Sequence, residues 1–140
     1  MSIKAIIILA VLAAIVLLCV ACATRFHKNE SKPIVTFPEV DVNEFMMLLS
    51  DPDIQVLDVR TRDEFDEGHI AGAILVDVNE SDFVDRAVAV LDKQRPVAVY
   101  CRSGRRSSRA CNLLLEQGYN VTNLMGGVMA WRDAGKALVQ

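Results

Sequence analysis

Residues 97–108 read Val-Ala-Val-Tyr-Cys-Arg-Ser-Gly-Arg-Arg-Ser-Ser, a short apolar strand that ends on Cys101 and runs into an arginine-rich turn before a helix. A thiol in that position meets the free backbone N–H groups of a helix start and several guanidinium groups, conditions that favour thiolate and hold anions. Gly104 lets the turn curl and aim its N–H groups inward. Free cysteine is more often a small buried hydrophobe, but Cys-Arg-Ser-Gly-Arg-Arg is poor core material. A cup of donors around one sulfur stabilises a thiolate and equally a negatively charged sulfur attached to it. The matching chemistry is attack by Cys101 on a sulfane sulfur, giving a persulfide that a second thiophile collects.

The elements that must hold this turn alternate along the chain. Strands are expected at 34–36, ended by Pro38, and at 54–59, 74–76, 97–100 and 121–124. Asp41 with Glu44 reads as a capping box, followed by Val42, Phe45, Met46 and Leu49 at helical spacing. Thr61 with Glu64 reads as a second box, opening a short helix that Gly68 closes. Phe83, Val84, Ala87, Val88 and Leu91 line the next helix. Residues 107–117 form another, with Ala110, Cys111, Leu114 and Leu115 inward, and 128–134 the last, after a turn at Gly126-Gly127. Strands alternating with helices predict a parallel sheet covered on both faces, a three-layer α/β/α domain. Functional sites in such folds lie at the carboxyl edge of the strands, where Cys101 falls.

The amino terminus is different in kind. Residues 5–23 are an unbroken apolar run, with Lys4 before it and Arg25, His27 and Lys28 after it. Three readings are open: a hydrophobic signal-anchor helix, a cleavable secretory signal, or a bacterial lipoprotein signal, which Val20-Ala21-Cys22 resembles and which makes Cys22 a lipidation candidate. All three export the domain or tether it to a membrane, in a bacterial periplasm or envelope. The organisation expected is 1–24 as signal or anchor, 25–33 as a polar linker and 34–140 as the domain.

Without residues 1–24 the chain keeps 14 basic against 18 acidic side chains, a net charge of about −4. That excludes a nucleic-acid partner. Arg102, Arg105, Arg106 and Arg109 nevertheless make one cationic spot, suited to small anions. Two cysteines remain in the domain, and Cys111 falls on the inward helix face while Cys101 faces the mouth of the site, so no bridge between them is expected. No set of cysteine, histidine and acidic residues has metal-ligand spacing, so neither metal nor cofactor is expected.

The loop Cys101-Arg102-Ser103-Gly104-Arg105-Arg106-Ser107, the upstream Asp58-Val59-Arg60 with Glu64-Phe65, and Gly68-His69-Ile70-Ala71-Gly72-Ala73 resemble the single-domain rhodanese family. So do the downstream Gly118-Tyr119, Asn123-Leu124, Gly126-Gly127-Val128 and Ala130-Trp131, and the resemblance covers about residues 36–135. It implies a rhodanese-like three-layer fold around a central parallel sheet. It also implies thiosulfate or persulfide sulfurtransferase activity with Cys101 as the sulfur carrier and a thiol or cyanide as acceptor. By the same resemblance, the backbone amides of residues 102–106 cradle the sulfur, and Ser103 and Ser107 donate to it. Arg102, Arg105 and Arg106 then become candidates for attracting an anionic donor such as thiosulfate. Asp58 and Arg60, at the end of a strand, are expected to brace the neighbouring loop. His69 belongs to a segment the resemblance marks as structural, while Trp131 and Phe65 read as core. The chain is expected to act as a monomer.

Two rival functions share these residues. Cysteine phosphatases and arsenate reductases use a loop of Cys, five residues, Arg, whereas here the sixth residue after Cys101 is Ser107. A non-catalytic binding module would keep the fold and lose the chemistry; its usual mark is a missing cysteine, and Cys101 is present.

Overall fold

The computed structural model describes residues 3–8, 11–15 and 36–140. Residues 3–8 and 11–15 are helical. Among the described residues no helix is long and apolar enough to cross a membrane. Cys22, the linker at 25–33 and residues 34–35 of the expected first strand lie outside the described residues.

Residues 36–140 build a five-stranded, wholly parallel sheet of β1 (Glu39–Val40), β2 (Gln55–Asp58), β3 (Ala73–Leu75), β4 (Val97–Tyr100) and β5 (Val121–Leu124), ordered β1-β5-β4-β2-β3. Five helices complete it: α1 (Val42–Leu48), α2 (Arg62–Asp66), α3 (Phe83–Val90), α4 (Arg105–Glu116) and α5 (Gly127–Asp133). The alternation of β4 divides the core. Val97, Val99 and Cys101 face Phe83 and Ala87 of α3 and Ala110, Cys111 and Leu114 of α4. Ala98 and Tyr100 face Val42 and Phe45 of α1 and Val128 and Trp131 of α5. The central strand is buried throughout, as its unbroken apolar sequence requires of a parallel strand covered on both sides.

Both capping boxes form. The Asp41 carboxylate accepts from the N–H groups of Asn43 and Glu44, and the Glu44 side chain reaches back to the Asp41 N–H. Thr61 and Glu64 do the same at α2. Each box satisfies donors that would otherwise be orphaned and is worth about 1 kcal/mol.

Four local expectations are corrected. The first described strand, Glu39–Val40, lies after Pro38, and Thr36, expected in a strand, is in none. Proline suits the start of an edge strand because its missing N–H faces no neighbour, and its carbonyl accepts from the Asn123 N–H at 2.9 Å. The third strand sits one residue earlier than 74–76. Met46 and Val88, expected inward, are 40% and 42% exposed, because the covered stripe of each short helix is only two or three residues wide. The fourth helix begins at Arg105, not Ser107, because Gly104, left-handed at φ 95°, is its N-cap. No capping side chain announces that start.

Candidate active site

Cys101 follows the last residue of β4, so its position is fixed by the most buried strand of the sheet. Only residues 102–104 separate it from α4. The turn folds back on the thiol: the Gly104 N–H donates to Cys101 Sγ at 3.1 Å, and the Ser107 hydroxyl lies 3.3 Å from the same sulfur and 3.0 Å from the Gly104 carbonyl oxygen. Backbone N–H groups of Ser107 and Ser103 add to this set. Burial alone would push the Cys101 thiol up. The Ser107 hydroxyl and these N–H donors outweigh it, and the thiol is held below its ordinary value. Cys111, ten residues on and buried on the same face, has no such donors, and burial pushes it up to about 12. Both cysteines are free.

The other side of the turn is tied down. The Cys101 carbonyl oxygen accepts from the Val128 N–H at 2.8 Å and the Arg102 carbonyl oxygen from the Met129 N–H at 3.1 Å. These bonds require α5 to press directly against the turn, and Gly127 permits it. A Cβ there would lie 2.3 Å from the Cys101 carbonyl oxygen and 2.7 Å from the Arg102 carbonyl group, and its φ of +57° is left-handed. Gly-Gly at 126–127 was legible as a turn; its part in closing the thiol loop was not.

The arginines divide. Arg106 makes a bidentate pair with Glu64, both contacts 2.7 Å. That guanidinium holds the Glu64 carboxyl down at about 2. Arg106 therefore clamps the start of α4 to the capping box of α2, and its fork is already engaged. Arg109 donates to the Val78 carbonyl oxygen. Arg102 and Arg105 are exposed and, among the described residues, in no ion pair.

The remaining site residues stand as follows. Ser103 is exposed and offers its N–H to the sulfur, with no side-chain hydrogen bond to it. Asp58 and Arg60 form a buried pair, 2.6 Å at the closest, and Arg60 also donates to the Gly68 carbonyl oxygen at 2.9 Å. They do not touch the loop carbonyls. The guanidinium lies 5.7 Å from the Tyr100 ring centre, so the pair supports the residue before Cys101. His69 stacks on Phe65 with its Nδ1 3.1 Å from the Phe65 carbonyl oxygen, and its backbone pairs with Val139. Phe65 is only half-buried, whereas Trp131 is core. Cys101 itself is 1% exposed, so the thiol is enclosed by its donors and does not face an open mouth.

Asn123, unremarked as a site residue from the sequence, lies beneath the loop. It is 1% exposed, and its Nδ2 donates to Glu39 at 2.9 Å and approaches the Gly104 carbonyl oxygen at 3.4 Å. An amide between Val121 and Leu124 in a short strand was the available signal.

The profile of the rhodanese-like domain family matches residues 41–134. A sulfurtransferase of Allochromatium vinosum is 36% identical over 103 residues, spanning 72% of this chain and 94% of that protein. The thiosulfate sulfurtransferase GlpE of Shewanella oneidensis is 35% identical over 101 residues, 71% of this chain and 96% of the relative. Among solved structures, the rhodanese-like domain of Anabaena Alr3790 superposes with a TM-score of 0.64 at 34% identity, covering 74% of this chain and 80% of that one. A rhodanese-related protein of Thermoplasma volcanium gives a TM-score of 0.65 at 26% identity, over 74% and 98% of the two chains. The chain belongs to the rhodanese-like domain family and is a sulfurtransferase of it.

Proposed function

We propose that the domain moves a sulfane sulfur from thiosulfate or a persulfide donor to a thiol or cyanide through a persulfide on Cys101. The observation that carries this is the ring of donors around Cys101 Sγ, which keeps a buried thiol below its ordinary pKa. In the first step the thiolate attacks the outer sulfur of thiosulfate; the new S–S bond forms as the old one breaks, and sulfite leaves with its electron pair. The persulfide carries one negative charge, which the same N–H groups and the Ser107 hydroxyl receive. In the second step the acceptor attacks the outer sulfur, and Cys101 departs as thiolate into the donors it started from. With cyanide the product is thiocyanate. Arg102 and Arg105, exposed and in no ion pair among the described residues, raise the local concentration of the anionic donor.

Phosphate chemistry is the weaker reading, because the one arginine held at the loop's edge, Arg106, is spent on Glu64 instead of turning to an oxyanion.

Full-length protein in detergent should transfer sulfur from thiosulfate to cyanide, and the Cys101 peptide should gain the mass of one sulfur after donor alone. Cys101→Ser should lose both while unfolding at the same denaturant concentration; turnover persisting in the variant would overturn the assignment. The proposal includes export or tethering through residues 1–24, supported by their apolar run. Loss of a lipid mass in Cys22→Ala marks a lipoprotein, and an unchanged mass with membrane retention marks an anchor.

A further inference from the structure

The Ser107 hydroxyl has one proton and two acceptors: Cys101 Sγ at 3.3 Å and the Gly104 carbonyl oxygen at 3.0 Å. Whichever acceptor is better served by other donors leaves the proton to its rival. A carbonyl oxygen has two lone pairs. That of Gly104 takes the Ser108 N–H at 3.0 Å, the hydrogen bond that opens α4, and one lone pair remains. From β5, the Asn123 Nδ2 reaches the same oxygen at 3.4 Å.

The setting of Asn123 fits that reach. It is 1% exposed, its Nδ2 also donates to Glu39 Oε1 at 2.9 Å, and its Oδ1 has no hydrogen-bond partner among the described residues. A buried amide oxygen without a partner costs stability, and an apolar side chain would fill the same place without that cost. Turning the amide over would set Oδ1 against two acceptors, the Glu39 carboxylate and the Gly104 carbonyl, so the donor end faces the loop. We infer that Asn123 is a positioning residue for Cys101: its amide fills the second lone pair of the Gly104 carbonyl and so directs the Ser107 hydroxyl proton to the sulfur. The hydroxyl turns; no proton is transferred and no covalent bond changes. The inference rests on Cys101 being the sulfur carrier. In that reaction Sγ bears charge twice, as the attacking thiolate and as the group that leaves when the acceptor takes the outer sulfur, and the Ser107 proton is needed at both moments. Against the burial that raises the thiol, the Ser107 hydroxyl is the first of the donors that hold it down. The other charged groups on this side are Arg106, committed to Glu64, and Glu39, while Cys111, pushed up to about 12, stays neutral.

Alkylation of Cys101 by iodoacetamide across pH, read from the mass of its peptide in the full-length protein, tests this without sulfur transfer. Asn123→Leu and Asn123→Ala should each move the midpoint about half to one pH unit higher, the worth of one neutral hydrogen bond. In a Ser107→Ala background the same substitutions should leave the midpoint in place, because no hydroxyl remains to be directed. A general loosening of the loop would raise it in both backgrounds, and that result overturns the inference, as does an unmoved midpoint in the single variants. Glu39 gives a second test on the exposed edge strand that does not depend on the Asn123 variants folding. Glu39→Gln and Glu39→Ala remove the same charge, but only the second removes the acceptor that holds Nδ2. Glu39→Ala should therefore titrate higher than Glu39→Gln, and coincident profiles overturn the inference. Absence of sulfur transfer in a parent whose alkylation behaves as stated counts against the transfer reading alone.

Discussion

Gly127→Ala tests whether the backbone behind the thiol loop makes the site. A methyl at 127 would lie 2.3 Å from the Cys101 carbonyl oxygen, about 1 Å inside ordinary contact distance, and both nearest groups are backbone and cannot swing aside. The left-handed φ adds about 1 kcal/mol for any side chain. Gly118→Ala provides the control: its φ of +84° is also left-handed, but nothing lies within 4 Å of the added methyl. Both variants carry the conformational cost, and only Gly127→Ala carries the overlap, which in packed interiors costs about 1–3 kcal/mol. Urea unfolding at pH 7 should therefore place Gly118→Ala about 1 kcal/mol below the parent and Gly127→Ala about 2–4 kcal/mol below it. The overlap is relieved by moving residues 101–102 away from α5, which lengthens the bonds to Val128 and Met129 and turns the N–H array off the sulfur. Thiosulfate-to-cyanide turnover should fall at least tenfold in Gly127→Ala and by less than twofold in Gly118→Ala. Equal stability losses in the two, or full turnover in Gly127→Ala, would refute the argument.

Three further outcomes are expected. Ser107→Ala removes the leading side-chain donor to the thiolate, so alkylation of Cys101 should move to higher pH; an unchanged alkylation profile would assign the lowered pKa to the backbone alone. Glu64 titrates at about 2 in the fold against about 4.3 unfolded, so its contribution is complete above pH 4.3 and is lost as pH falls through 2. The quarter-exposed pair is partly screened, so Glu64→Gln should cost about 1–2 kcal/mol at pH 7, with the gap from the parent closing towards pH 2 in urea titrations. Asp58→Ala strands a guanidinium that is 2% exposed and should destabilise the domain by about 3–5 kcal/mol in the same assay, with Asp58→Ala/Arg60→Met recovering part of the loss.

The sequence made some of this legible and hid the rest for physical reasons. Strands β4 and β5 were read with their observed ends, β4 because a buried parallel strand is a continuous apolar run and β5 because Gly118 and Gly126-Gly127 bracket it. The capping boxes were legible because each is a pair of side chains three positions apart. The start of α4 was not, since its cap is a backbone conformation at Gly104 and no side chain marks it. The edge strand at Glu39–Val40 was not read because two residues carry no period. At the site, the cysteine, its glycine and Ser107 lie within one short segment and could be read together. The clamp between Glu64 and Arg106 joins residues 42 positions apart, and Gly127 meets the loop only after the sheet has brought β4 and β5 side by side. Such pairings exist only in the folded chain.

The division between backbone and side chains at the site has a consequence for what the protein can vary. The carbonyls of Cys101 and Arg102 point into α5, and hydrogen bonds hold them there. Gly104, Ser103 and Ser107 offer their N–H groups to the sulfur from the opposite side. The peptide fixed at the Arg102 carbonyl carries the Ser103 N–H, and the Ser107 N–H belongs to the first turn of α4, so these donors are oriented before substrate arrives and need no reorganisation in the proposed passage of charge from thiolate to persulfide. Thiolate stability is therefore set by the Ser107 hydroxyl, the one side chain that reaches the sulfur, together with backbone N–H groups that side-chain substitution leaves in place. Arg102 and Arg105 stand outside that ring, exposed to solvent, where a charge attracts an anion without altering the nucleophile. On the proposed function, the loop could exchange one anionic donor for another by changing its arginines while the chemistry at Cys101 stays the same.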